Sequence, residues 1–208
     1  MNPHPTPETT AEPPGRQAIL TAVYGAHAER LDETFASFGR TPGCTLHAFV
    51  VGRELPRRQV EGVRYHLRPP DASFGHPMRE VDYRRWLFVD EVEADWVLVV
   101  DGLDVACLQP LPPFATLLRD AWVGACVEHN GGRYLPGGLY TSNFVNAGVT
   151  FWNVAASRPL REEVVARGRR FFRSLVDDQL ALNEVLHCRY PDRLVLLPCH
   201  YNFRASLG

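Results

Sequence analysis

The chain has no lysine: all 22 of its basic residues are arginine, set against 24 acids. Any mechanism that needs a lysine amine is thereby excluded, while arginine remains well suited to phosphate. A net charge of −2 leaves no polycationic surface for nucleic acid and no basic helix for a membrane. The cysteines Cys44, Cys107, Cys126, Cys188 and Cys199 are odd in number and contain no CxxC pair. A reducing compartment therefore fits better than a disulfide framework, with Cys107 and Cys126 as buried thiols, and a cytoplasmic location is expected. No run approaches the roughly 18 apolar residues of a transmembrane helix. The opening MNPHPTPETTAEPPGR is polar and Pro-rich with no hydrophobic signal region, and reads as a disordered tail over 1–16. No internal repeat is visible.

What is present is an ordinary globular composition, 45% hydrophobic and 22% charged over 208 residues, enough for one domain spanning 17–208. Strands are expected at 18–23, 44–51, 63–67, 96–105, 122–129, 145–154 and 194–198. Helices are expected at 28–38, 78–92, about 114–119, 159–175 and 177–187. Leu31, Thr34, Phe35 and Phe38 mark the first helix by their spacing. Val81, Trp86, Leu87, Val89 and Val92 mark the second. Strands alternating with helices argue for an α/β domain around a largely parallel sheet.

Residues 96–105, WVLVVDGLDV, combine a β-branched apolar run with two terminal acids, Asp101 and Asp104. Such a run without alternation suits a strand buried on both faces. Its C-terminal tip is where open α/β sheets bind ligands, and hard carboxylate oxygens there suit Mg²⁺ or Mn²⁺ carrying a phosphate. The alternative is local: Asp101 ends the strand and Asp104 caps a turn.

The segment RRWLFVDEVEADWVLVVDGLDV (84–105) resembles the Arg-to-Asp-x-Asp region of GT-A-fold glycosyltransferases, most closely family 8 and related nucleotide-diphospho-sugar transferases. Asn146-Ala147-Gly148-Val149 resembles that family's N-(A/S)-G-V strand. Asp178-Gln179-Leu180-Ala181-Leu182-Asn183 resembles its D-Q-x-x-L-N helix start, and Leu197-Pro198 with Tyr201-Asn202-Phe203 its L-P-x-x-Y-N motif. The resemblance covers 18–203. It implies a GT-A-like, Rossmann-related single α/β domain around a largely parallel mixed sheet. It also implies a metal-dependent, retaining transferase moving a hexose from a nucleotide sugar, expected to be UDP-linked, to an acceptor hydroxyl. That acceptor would be a glycan, a lipid-linked sugar, a protein or a small molecule.

By the same resemblance, Asp101 and Asp104 hold Mn²⁺ or Mg²⁺, which neutralises charge developing on the leaving diphosphate. Asp101 also contacts ribose. Arg84 steadies the diphosphate or holds the acids, with its neighbour Arg85 as the weaker candidate, since only one of two adjacent helical residues points inward. Tyr24 stacks on the base or simply packs. In Asn146-Ala147-Gly148 the glycine allows close backbone approach and Asn146 binds a sugar hydroxyl, or the asparagine satisfies a tight strand start. Asp178 binds sugar hydroxyls and Gln179 lies against the reacting face, although an Asp there also suits a helix cap. Asp177 is the fallback for Asp178. Gln179 is too weak a base for a nucleophile. A front-face route, in which the leaving phosphate helps deprotonate the acceptor, therefore fits better.

Three departures stand out. The acids are spaced Asp-x-x-Asp, Leu180 replaces a second sugar-facing acid, and the family's later His-containing segment has no counterpart before Gly208. Either the gene product is C-terminally truncated or another group completes the metal site. His200 is the local candidate, with a structural imidazole as the alternative. His76 and His129 have less to recommend them. The loop 130–142, with Tyr134 and Tyr140 among glycines, suits an acceptor wall or an ordinary surface loop. Two other functions are weighed: a degenerate domain that binds nucleotide sugar without turnover, and a sugar nucleotidyltransferase. Against the latter, Tyr24-Gly25-Ala26-His27 is a poor phosphate loop.

Overall fold

The computed structural model describes residues 15–31, 33–128, 132–135, 138–170 and 177–202, with side chains left out at 26, 33, 34, 170 and 177. The tail expected over 1–16 lies outside these residues as far as 14, as do His129 and Phe203.

Among the described residues nine strands form in chain order. They are β1 (Gln17–Tyr24), β2 (Cys44–Val51), β3 (Val63–Arg68), β4 (Trp96–Val100) and β5 (Val123–Val127), then β6 (Arg133–Tyr134), β7 (Tyr140–Thr141), β8 (Val145–Asn153) and β9 (Leu194–Leu197). Five α-helices accompany them: α1 (Glu33–Ala36), α2 (Pro77–Arg84), α3 (Phe114–Leu118), α4 (Arg158–Arg170) and α5 (Asp177–Arg189). Seven strands make one mixed sheet, ordered β3-β2-β1-β4-β8-β5-β9. Within this sheet β8 runs antiparallel to both of its neighbours and every other pairing is parallel. The carboxyl ends of β1, β4, β5 and β9 therefore share one edge with the start of β8. In open α/β sheets that edge binds ligands.

The central strands are apolar at consecutive positions because both faces are covered. Val97 and Val99 of β4 enter one core, with Val81 from α2, Trp86 from the turn after it, Leu160 and Val164 from α4 and Leu182 from α5. Leu98 and Val100 enter a second, against Phe35, Phe38, Phe114 and Leu118 on the opposite side. The result is three layers. Truncating a fully buried ring such as Trp152 to alanine is expected to cost about 3–5 kcal/mol.

Two expected helices are broken. The stretch 28–38 is a 3₁₀ turn (Gly25–Arg30), the single turn α1 and a second 3₁₀ turn (Ser37–Arg40). Gly25 takes a positive φ of 47°, and a span this short lacks the length to sustain an α-helix. The stretch 78–92 ends as α-helix at Arg84. Beyond it Trp86, Phe88 and Val89 are all buried, a density that no single helical stripe can supply. The fully buried Arg161 donates to the carbonyls of Trp86 (3.2 Å) and Val154 (2.7 Å) and ion-pairs with Asp90, tying α4 to this turn.

Candidate active site

The acids after β4 are placed by two glycines. The backbone N–H of Asp101 donates to the Gly148 carbonyl at 2.8 Å, extending the β4–β8 ladder by one rung. A Cβ on Gly148 would stand 2.5 Å from the Asp101 Oδ2 and 3.0 Å from the Asn146 Oδ1. A Cβ on Gly102 would stand 2.4 Å from the Thr21 hydroxyl. Hydrogen in place of a side chain at both positions lets the carboxylate sit between β1 and β8. Asp101 is half-exposed, and the turn over 102–104 carries the exposed Asp104 to the same cleft.

Behind Asp101 lies a buried cation. α2 starts with Pro77 at its first position, and the His76 ring accepts from the Met78 N–H at 3.2 Å. At the far end the two arginines diverge. Arg84 ion-pairs with Glu80 and donates to the Pro69 carbonyl. Arg85 turns inward, 4% exposed, pairing with Asp101 and, at 2.7 Å, with Asp178 at the start of α5. The structure thus puts Arg85, and not Arg84, at the acids, because Arg85 shares the inner face of the helix with Val81 and Asp82. Burial by itself would lower the Arg85 proton affinity, but Asp101, Asp178 and Asp82 outweigh it and raise it. Burial pushes Asp178 up, against the pull of Arg85. Asp82, one turn before Arg85, is pushed up to about 7 by burial and by the charges of Asp178 and Asp101.

A second network lies beside the first. Glu128, at the end of β5, accepts through Oε2 from the Asn146 amide at 2.8 Å and the Gln179 amide at 3.2 Å. The Gln179 Oε1 accepts from the Ala147 N–H at 3.0 Å. The Asn146 Oδ1 accepts from the Gly148 N–H and from Asn202, both at 2.8 Å. Asn183, one turn after Gln179, clamps both backbone groups of Val145. The N-A-G-V, D-Q-x-x-L-N and Y-N residues thus meet through hydrogen bonds.

In front of Asp101 opens a cleft of about 350 Å³, within the range of small-ligand sites. Tyr24 and His27 form one wall, their ring centroids 5.1 Å apart, with Arg30 beyond. Met78, Val81 and Asp82 form another, and Asp101 to Asp104 the floor.

His200 stands apart. It is exposed in the turn after β9, its ring 4.4 Å from that of Tyr201. Among the described residues no group of three or more His, Cys, Asp or Glu side chains is gathered as a metal site, so Asp101, Asp104 and His200 do not form a triad. The reason is topological: β8 and β5 separate β4 from β9, roughly 14 Å at ordinary strand spacing. His76 caps α2, and His129 and the Asp177 side chain lie outside the described groups. Tyr134 and Tyr140 are exposed on the β6–β7 hairpin, 5.1 Å apart. Sequence reasoning missed Asp82, Glu128 and His27. The acid closing the GACVE strand offered a signal, since it ends a strand at the ligand edge just as Asp101 does.

No protein-family model matches the chain, and no curated protein matches it. Solved structures do. A structure of the galactosyltransferase LgtC in complex with donor and acceptor sugar analogs superposes with a TM-score of 0.61 at 20% identity, covering 91% of this chain and 76% of that one. An LgtC active-site mutant with glutamate in place of glutamine gives 0.62 at 20%, covering 91% and 75%. The glycosyltransferase GlyE of Streptococcus pneumoniae TIGR4 gives 0.59 at 17%, covering 91% of this chain and 47% of that chain. The likeness is one of fold: the chain is a GT-A-like α/β domain.

Proposed function

We propose that the chain is a glycosyltransferase that moves a hexose from a nucleotide sugar, UDP-linked by preference, to an acceptor hydroxyl with retention of configuration. The observation that carries this reading is the Arg85 bridge between Asp101 on the β4 tip and Asp178 on α5, at the ligand edge of a GT-A-like sheet. LgtC, of similar fold, was solved with donor and acceptor sugar analogs, which supports it.

In this reading Tyr24 and His27 offer ring faces to the base. Asp178 accepts from a sugar hydroxyl while Arg85 holds its carboxylate in place. The anomeric carbon–phosphate oxygen bond breaks as the acceptor oxygen bonds to that carbon, and the acceptor proton passes to the leaving phosphate. Gln179, a neutral amide and a weak base whose Oε1 also accepts from the Ala147 N–H, is assigned to orienting the reacting face and not to nucleophilic attack. Mg²⁺ is commonly held by one or two carboxylates together with substrate phosphates, and the donor set here fits that pattern better than a resident three-ligand cage. Asp101 and Asp104 would hold such an ion, which supplies neutralisation of the leaving diphosphate.

The test is a panel of nucleotide sugars with Mn²⁺, followed by assay of free nucleoside diphosphate. Release by the intact protein and its loss in Asp104→Ala supports the transferase. Binding without release across varied acceptors supports a non-catalytic domain instead. Pyrophosphate release from a nucleoside triphosphate supports a nucleotidyltransferase.

A further inference from the structure

We propose that Glu128 is a positioning residue that fixes the polarity of the Gln179 and Asn146 amides and, through them, the tip of β8 beside Asp101. The inference rests on the transferase reading and deepens it. A backbone N–H only donates, so the amide atom facing it must be the oxygen. Ala147 N–H therefore fixes the Gln179 Oε1, and Gly148 N–H fixes the Asn146 Oδ1. Both NH₂ groups must then point the other way, and both point at one atom, the Glu128 Oε2. Only an acceptor can stand there.

Glu128 is 8% exposed, so it acts from behind the cleft and does not touch the donor. What it controls is geometry. Gly148 lies against the Asp101 carboxylate with no room for a methyl group between them. A shift of the Asn146–Gly148 segment therefore moves Asp101, and small misplacements of reacting groups cost rate more than binding. Three elements meet on this carboxylate: β5 carries it, and β8 and α5 donate to it, while Asn202 after β9 donates to the Asn146 Oδ1.

The experiment compares the full-length protein with Glu128→Leu, which has similar size and no acceptor, and Glu128→Gln, which keeps one carbonyl oxygen. The readouts are donor hydrolysis and side-chain amide exchange by NMR. The leucine variant is expected to lose about tenfold or more in kcat with the donor KM within about twofold, and the glutamine variant to recover most of the loss. In the wild type, the NH₂ protons of Gln179 and Asn146, assigned by their absence in Gln179→Glu and Asn146→Asp, should exchange about tenfold more slowly than those of the exposed Gln59. The leucine variant should abolish that difference. Wild-type kcat in Glu128→Leu, or amide exchange as fast as Gln59 in the wild type, overturns the proposal. If Glu128→Leu does not fold, Glu128→Gln decides: retained slow exchange with near-normal kcat supports the role, and fast exchange with unchanged kcat overturns it. If the wild type releases no nucleoside diphosphate, the transferase reading fails, and amide exchange judges Glu128 alone.

Discussion

Arg85 and Asp178 lie 93 positions apart, and the guanidinium Nη2 donates to the Asp178 carboxylate at 2.7 Å. The same guanidinium holds Asp101, so one buried side chain ties α2, β4 and α5 together at the cleft. Planarity matters, because the fork of an arginine can serve two carboxylates at once where an ammonium offers a point charge.

Removing that fork leaves Asp178 buried without its cation. Arg85→Leu is expected to lose about 3–5 kcal/mol in urea unfolding and all donor turnover, with Arg85→Lys recovering little of either. Arg84→Ala, which removes the Glu80 pair, a contact to a carbonyl and the approach to the Phe88 ring, all away from the acids, should keep its turnover. Equal losses in the two alanine or leucine variants would contradict the inward assignment of Arg85.

Gly148→Ala tests the close approach at the β8 tip. Its methyl would meet the Asp101 carboxylate at 2.5 Å, and the half-exposed Asp101 yields by shifting toward solvent, away from its pair with Arg85. The expected stability loss is modest, about 1–3 kcal/mol, while donor turnover drops much further. Normal turnover in this variant would show that the position of Asp101 is unimportant.

Metal removal separates a resident ion from one that arrives with the donor. Prior chelation should leave the melting temperature unchanged, because among the described residues no three-ligand cage is gathered that a metal could use to support folding. Nucleoside diphosphate release should stop in chelator and return with Mn²⁺ or Mg²⁺ in the wild type, but not in Asp104→Ala. A large melting shift on chelation would point to a structural metal instead.

Far from the cleft, the His47 Nδ1 and His66 Nε2 are 2.9 Å apart between β2 and β3. Burial, with smaller contributions from His66 and Arg64, lowers His47 from 6.5 to about 4. Above 6.5 both folded and unfolded chains keep it neutral, and its contribution is fully present. As pH falls from 6.5 towards 4 the unfolded chain takes up the proton first, so stability falls. The melting temperature of the wild type should therefore decline over this window, and His47→Phe should flatten the slope. A parallel decline in both would exclude the pair as its source.

Much of this was legible in the residues. The run WVLVV ending in Asp101 announced a doubly covered strand and its ligand edge, because burial on both faces leaves no room for alternation. The segments around Asn146, Gln179 and Asn202 were visible as separate motifs. That they hydrogen-bond to one another was not, since their partners come from strands and turns distant in the chain. The choice between Arg84 and Arg85 was equally closed to spacing arguments. Adjacent helical residues differ by about 100° in direction, and only the packing of α2 on the sheet says which one faces in.

By itself the sequence determined the class of fold, the sheet edge at which a ligand is expected and the absence of lysine from the 208 residues, because each follows from local pattern or composition. The tertiary structure decided the rest. It chose Arg85, gave Asp82 a raised proton affinity by burying it and setting Asp178 and Asp101 beside it, and made Glu128 the common acceptor for two amides. It also kept His200 away from the acids by setting β8 and β5 between β9 and β4. Strand order and side-chain direction arise from long-range packing, and neither is written in the spacing of residues along the chain.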